Sequence, residues 1–155
     1  MPTLTRAFLK SALIYLSLAL LIGVLLALRS FFATVPPVAL LRRPVNLIQP
    51  LLAVLQPTYL HLFMVGWVTQ LIFGIAYWMF PKSSVQSGSP AAPDWPGWTV
   101  FGLLNVGLAL RLVAEPWIAL AGSGGPGWLL ALSAMLQLVA GWMFVALAWP
   151  RVKGR

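Results

Sequence analysis

Four long stretches without a charged residue most constrain what this chain of 155 residues can fold into. They cover residues 11–28, 44–81, 95–110 and 116–150. A helix that crosses a bilayer needs about 20 mostly apolar residues, and four such helices fit into these stretches. Because 61% of the residues are apolar and only 8% are charged, the composition excludes a water-soluble fold.

We therefore predict an all-α membrane protein, a four-transmembrane-helix bundle that forms a single domain over residues 1–155. The predicted spans cover residues 11–28, 58–80, 97–120 and 128–149. The third span is expected to be interrupted near its end by Arg111, Glu115 and Pro116, because charge and proline disfavour a helix interior in lipid. The first span is expected to be retained, because its apolar stretch is longer than that of a secretory signal.

The connection between the first and second spans is rich in proline. Residues 30–56 contain Pro36, Pro37, Pro44 and Pro50, a density that breaks a continuous helix. Its remaining residues are largely apolar, so we predict a Pro-rich interfacial segment that lies on the membrane surface and covers the mouth of the bundle. Residues 82–96 are rich in Ser, Pro and Gly and predict a solvent loop.

Ten Lys and Arg residues against two acidic residues give a net charge of +8. The basic residues cluster at the span ends, where they meet lipid head groups, and no basic stripe with exposed aromatics points to nucleic acid. Six of them lie in the N-terminus, the second connection and the C-terminal tail, and four in the other two connections. This bias predicts both termini in the cytoplasm, in a plasma membrane of prokaryotic type.

The inventory of reactive residues is short: the chain has no Cys, one His, one Asp and one Glu. Thiol chemistry, a carboxylate dyad, a Ser-His-Asp triad within one chain and a multi-ligand metal site are thereby nearly excluded. His61 is the one residue that can ligate a metal strongly through nitrogen. Its position near the end of a span leaves two interpretations open, a ligand or a neutral hydrogen-bonded histidine.

A helical wheel with 3.6 residues per turn separates two faces of the second span. One face carries His61, Val65, Val68 and Ile72, and the opposite face carries Gly66, Gln70 and Gly74. We expect the glycine face to pack closely against a neighbouring helix, with Gln70 donating or accepting a hydrogen bond across the contact. Ser133, Gln137 and Gly141 repeat this pattern in the fourth span and predict helix packing there too.

The arginines near His61 allow two interpretations each. Arg111 and Glu115 are spaced i, i+4 and either neutralise each other or bind a ligand carboxylate, with Glu115 orienting Arg111. Arg42 and Arg43 are either lipid-facing anchors or carboxylate-binding residues. Three methionines, Met64, Met135 and Met143, are expected to be core filler more often than thioether ligands.

The stretch from Leu55 to Pro81, LQPTYLHLFMVGWVTQLIFGIAYWMFP, resembles the second helix of subunit I in the haem-copper oxidase and nitric oxide reductase superfamily. The resemblance is specific over residues 55–81 and extends loosely over residues 30–117. In that family a histidine near the outer end of the helix is an axial ligand of the low-spin haem, and His61 matches its position. The further histidines that the family uses for copper, for the active haem and as the second low-spin ligand have no counterpart here.

The resemblance therefore implies a protein that binds haem b through His61 and transfers electrons but is not a complete oxidase. Because propionates are anionic groups that lipid penalises unless they are paired, we expect Arg42, Arg43 and Arg111 to meet those of such a haem. A second copy of the chain, another subunit or a diatomic gas would complete the iron coordination. A homodimer supplies two histidines by symmetry. The alternatives are a haem-free accessory or assembly subunit of a respiratory membrane complex and, less favoured, a small transporter.

Overall fold

The structure is a computed structural model that describes residues 1–34, 54–79, 95–121 and 125–152, with the side chains of residues 29–34 and 119–121 left out. These residues form four long helices: α1 (Thr3–Thr34), α2 (Val54–Met79), α3 (Trp95–Ala121) and α4 (Gly127–Ala148). A short 3₁₀ turn, Trp149–Arg151, extends α4. Each of the four helices is long and apolar enough to cross a membrane, which confirms an all-helical protein with four candidate spans.

The helix bounds differ from the predicted spans in ways that matter for the site. Helix α1 begins at Thr3, eight residues before the predicted span, and α2 begins at Val54 rather than Thr58. The predicted interruption of the third span is wrong, because α3 continues through Pro116 to Ala121. Of the predicted Pro-rich segment, residues 35–53 lie outside the described residues, and so do residues 82–94 of the predicted solvent loop.

Contacts between named residues fix the topology of the bundle. Helices α1 and α2 are antiparallel, because Phe8 packs on Tyr77 at one end and Tyr15 lies against Gly66 further along. Phe8 also packs on Phe101, and Tyr15 further along α1 donates a hydrogen bond to Asn105, so α3 runs parallel to α1. Helix α4 runs back along α3, since Gly125 lies against Ile118 and Ser133 donates a hydrogen bond to the carbonyl of Gly107. Both chain termini therefore lie at one end, and we call the opposite end the distal end.

An aromatic and apolar core closes the end of the bundle that holds the termini. Phe8 is completely buried and is surrounded by Phe73, Tyr77 and Phe101. Phe144 of α4 stacks on Phe73 with ring centroids 3.7 Å apart. This end is held by apolar packing, whereas the polar side chains described below lie nearer the middle and the distal end.

The outer surface of the bundle is apolar along its length. Leu21, Ile72, Val113 and Val139 are exposed on helices α1, α2, α3 and α4. Exposed tryptophans lie at both ends of the bundle: Trp78, Trp95, Trp98 and Trp149 at the end that holds the termini, and Trp117 and Trp128 at the distal end. Tryptophan is enriched where a protein meets the membrane–water interface, and continuous apolar surface of this extent is rare in soluble proteins. These features indicate a membrane protein.

Helix α2 contains a π-helical segment, Leu62–Thr69. A π turn closes an i→i+5 hydrogen bond, so each residue advances roughly 20° less around the axis than in an α-helix. Over this segment the lag exceeds roughly 100°. The predicted separation of His61 and Gln70 onto opposite faces is therefore wrong: both side chains contact α3.

Candidate functional site

Four side chains from α2 and α3 meet at the distal end and form what we call the polar quartet: Thr58, His61, Arg111 and Glu115. The carboxylate of Glu115 is its centre. Oε1 lies 2.9 Å from Nδ1 of His61 and 3.2 Å from Nε of Arg111. The hydroxyl of Thr58 donates to Oε2 over 3.1 Å. Every member of the quartet thus touches the same carboxylate.

Local helix geometry brings the quartet together. Thr58 and His61 are three residues apart on α2, and Arg111 and Glu115 are four apart on α3, so each pair shares a face of its helix. Because α2 begins at Val54, His61 lies seven residues inside the helix, or about 10 Å, rather than the single turn predicted from the sequence. His61 is therefore further from the start of its helix than the sequence indicated.

The contacts of His61 determine which ring nitrogen carries a proton. Nδ1 lies 2.9 Å from the carbonyl oxygen of Pro57 and 2.9 Å from the carboxylate of Glu115. A carbonyl and an ionised carboxylate only accept hydrogen bonds, so Nδ1 is the donor. In the neutral ring Nε2 then carries the free electron pair, which is the form that binds a metal. The His61 side chain is 28% exposed, so the ring is accessible.

Arg111 and Glu115 form the i, i+4 ion pair that the sequence predicted as one of two interpretations. The side chain of Glu115 is only 10% exposed and that of Arg111 is 21% exposed. Nε of Arg111 is buried and has no hydrogen bond of good geometry, so the pair is a charge contact rather than a directed bond. The guanidinium compensates the buried carboxylate charge, which would otherwise be costly in lipid.

The remaining predicted site residues stand as follows. Arg42 and Arg43 lie outside the described residues. No group of three or more His, Cys, Asp or Glu side chains capable of holding a metal ion occurs within the described ranges. Of the three methionines, Met143 packs against the core, whereas Met64 and Met135 are exposed. His61 as a haem ligand stays a prediction.

A second group of polar side chains, which we call the central network, joins α1, α2 and α3: Ser11, Tyr15, Gln70 and Asn105. The hydroxyl of Ser11 donates to Oε1 of Gln70, and Nε2 of Gln70 donates to Oδ1 of Asn105 over 3.1 Å. The hydroxyl of Tyr15 donates to the same Oδ1 over 2.9 Å. The predicted hydrogen bond of Gln70 across the glycine face is confirmed.

Asn105 was not identified from the sequence as part of this network. It is the one asparagine within the four predicted spans, and an amide there needs partners from neighbouring helices. Its presence in a span could therefore have indicated a polar contact between helices. Along α3 it lies ten residues before Glu115, or about 15 Å, and the buried Leu108 lies between them. The central network and the polar quartet are therefore separate.

The small-residue pattern of α4 agrees only in part with the prediction. Ser133 is completely buried and donates to the carbonyl of Gly107 over 2.7 Å, and a Cβ at Gly107 would lie 3.0 Å from Cγ of Gln137. Both residues therefore pack on α3 as expected. Gly141 differs from Gly74, because a Cβ there would meet nothing within 4 Å.

A surface groove lies at the far end of α4 and is lined by Phe144, Val145, Ala148, Trp149 and Val152. It belongs to the end that holds the chain termini. The groove is thus remote from His61 and offers no pocket to the polar quartet.

Comparisons of the chain with protein-family models, with curated proteins and with solved structures give no match.

Proposed function

We propose that this chain is an integral membrane cytochrome that binds haem b through Nε2 of His61 and serves electron transfer. The observation that carries the proposal is the arrangement at the other ring nitrogen. A histidine that ligates a metal almost always donates its second ring N–H to a carboxylate or a backbone carbonyl, which fixes the tautomer and the ring orientation. His61 has both kinds of acceptor at Nδ1.

The surroundings of His61 suit a flat apolar cofactor. Leu60 and Met64 lie near it on α2 and are 51% and 55% exposed, so the exposed surface beside the ring is apolar. Haem b bound there would supply one-electron chemistry. Arg111, with Arg42 and Arg43 from the predicted interfacial segment, is proposed to face the propionates, because anionic groups in lipid need a cationic partner.

The second axial ligand is proposed to come from another copy of the chain. The sequence contains a single histidine, so a haem with two histidine ligands requires two chains. Twofold dimers are the commonest oligomers, and a ligand on the twofold axis meets two equivalent side chains. A five-coordinate iron that binds a diatomic gas, or a ligand from a different subunit of a respiratory complex, are the alternatives.

The visible spectrum of the detergent-purified protein tests this proposal. We expect a Soret band after expression with sufficient haem, and we expect His61→Ala to lose it while the protein still inserts, because insertion depends on apolar length. Met135→Ala is the matched control: it removes an exposed potential thioether ligand on α4 and should leave the spectrum unchanged. Haem spectra of equal intensity from the wild type and His61→Ala would contradict the proposal.

A haem-free accessory or assembly subunit of a respiratory membrane complex is the second candidate. The observation that favours it is that the polar quartet gives His61 a complete structural role, linking α2 to α3 through Glu115. Wild-type protein that is folded, supplied with haem and yet lacks a Soret band would favour this candidate.

The placement in the membrane is proposed from charge. With both termini at one end of the bundle, the positive-inside bias places that end in the cytoplasm of a prokaryotic-type plasma membrane and the polar quartet towards the outer face. Reporter fusions at the C-terminus test it. A reporter active only on the outer side would reverse the assignment.

A further inference from the structure

We propose that Glu115 is a positioning residue for His61 whose negative charge at Nδ1 lowers the reduction potential of a haem held at Nε2. The inference rests on the proposed function, but its effect on His61 is measurable without haem. Glu115 is a second acceptor for Nδ1 of His61, which already has one within its own helix. The carbonyl of Pro57 accepts from Nδ1 within the same helix and is sufficient to fix the tautomer.

The distinctive contribution of Glu115 is charge delivered from a second helix. Its Oε1 lies as close to Nδ1 as the carbonyl oxygen of Pro57 does, at 2.9 Å in both cases. A carboxylate partner draws the Nδ1 proton and makes the ring a stronger electron donor, as in other metal-bound histidines. A more basic ligand stabilises the ferric ion over the ferrous ion, so the potential falls.

The carboxylate is itself held in place. Thr58 donates to Oε2 and Arg111 contacts Oε1, so each oxygen of Glu115 has a partner other than His61. With 10% of its side chain exposed, Glu115 interacts with Nδ1 through a medium of lower dielectric than water, where a charge at this distance has a larger effect. Arg111 reduces the net charge of the quartet but contacts Glu115 rather than Nδ1.

The test compares Glu115→Gln with Asp94→Asn. The first keeps the shape of the side chain and removes its charge next to His61, and the second removes the other acidic residue of the chain. In potentiometric titration of the haem-loaded protein we expect Glu115→Gln to raise the ferrous-to-ferric ratio at fixed potential at least tenfold, which is 59 mV for one electron. Asp94→Asn is expected to leave the ratio unchanged. Equal potentials for Glu115→Gln and the wild type would overturn the inference.

The haem-free readout uses the fact that His61 is the single histidine, so its ring signals need no assignment. We expect the Nδ1 proton to resonate further downfield in the wild type than in Glu115→Gln, because a charged acceptor makes the stronger hydrogen bond. If the Nδ1 proton differs between the wild type and Glu115→Gln but the protein binds no haem, the contact is supported and only the proposed function is refuted. If the Nδ1 proton resonates at the same position in both proteins, the positioning role is refuted whether or not haem binds.

Glu115→Asp serves if the glutamine variant does not fold. It keeps the charge and withdraws the carboxylate from Nδ1 by one methylene. We expect a rise in the ferrous-to-ferric ratio smaller than tenfold. A ratio equal to that of the wild type, with the Nδ1 proton unshifted, would overturn the inference.

Discussion

The close contact between α1 and α2 gives the sharpest test of the fold, because Gly74 of α2 is crowded by α1 whereas Gly141 of α4 has open space beside it. A Cβ added at Gly74 would lie 2.9 Å from Cβ of Phe8. Such a separation is shorter than real Cβ atoms tolerate, and the neighbour is an atom bonded directly to the backbone. The two helices must therefore move apart for any larger residue to fit.

The expected magnitude follows from comparing Gly74→Ala with Gly141→Ala. Both substitutions gain the roughly 1 kcal/mol by which alanine exceeds glycine in helix propensity, so that contribution cancels in the difference. Gly141 has open space around its Cβ position, whereas Gly74 requires overpacking, which costs about 1–3 kcal/mol. We expect Gly74→Ala to be less stable than Gly141→Ala by this amount, and Gly74→Leu to be less stable still.

Reversible unfolding in mixed micelles, followed by tryptophan fluorescence, measures the free energy of unfolding for each variant. Size-exclusion chromatography shows whether the oligomeric state changes. Equal free energies for Gly74→Ala and Gly141→Ala would refute the assignment of the Gly66, Gln70 and Gly74 face to the contact with α1.

Three further outcomes follow from the described contacts. Gln70→Leu should lower the free energy of unfolding by about 1–2 kcal/mol, because it removes the links of the central network to α1 and α3; unfolding in mixed micelles measures it. Ser133→Ala should cost less, about 0.6 kcal/mol, since it removes one hydrogen bond to the carbonyl of Gly107; an effect above that of Gln70→Leu would contradict this ranking. Deleting Val65 should convert the π-helical segment to α-helix while His61 and Gln70 keep facing α3, because one residue fewer offsets the lag of roughly 100°; a large loss of stability in mixed micelles would contradict this.

Much of the fold is predictable from the sequence, and the reason is physical. Four charge-free apolar stretches predict four helices, because they are long enough to span a bilayer as helices and a helix satisfies its backbone polar groups within one segment. Proline did not end α3 at Pro116, since a helix in lipid retains its structure where water offers no competing hydrogen bonds. The glycines of α2 indicated the close approach to α1 correctly, but the same pattern in α4 failed at Gly141.

The site was less predictable, because its geometry depends on a departure from the α-helical repeat. The wheel that set His61 apart from Gln70 assumed 3.6 residues per turn, and no residue type marks a π-helical segment. Once the segment Leu62–Thr69 is present, His61 turns towards Glu115 while Gln70 still reaches Asn105. The i, i+4 pairing of Arg111 with Glu115 is local and could be predicted; the contact of His61 with Glu115 joins positions 54 residues apart and could not.

The π-helical segment therefore links the two polar groups of the bundle to one physical cause. A π turn weakens backbone hydrogen bonding and is rare, so it persists where side-chain contacts compensate for it. Here those contacts lie on both sides of the segment: the polar quartet precedes it at Thr58 and His61, and the central network follows it at Gln70. Restoring the α-helical repeat with all residues kept would break one group or the other. The π-helical segment and the contact between His61 and Glu115 thus stabilise each other. The rotation of the first half of α2 relative to its second half therefore depends on the candidate site.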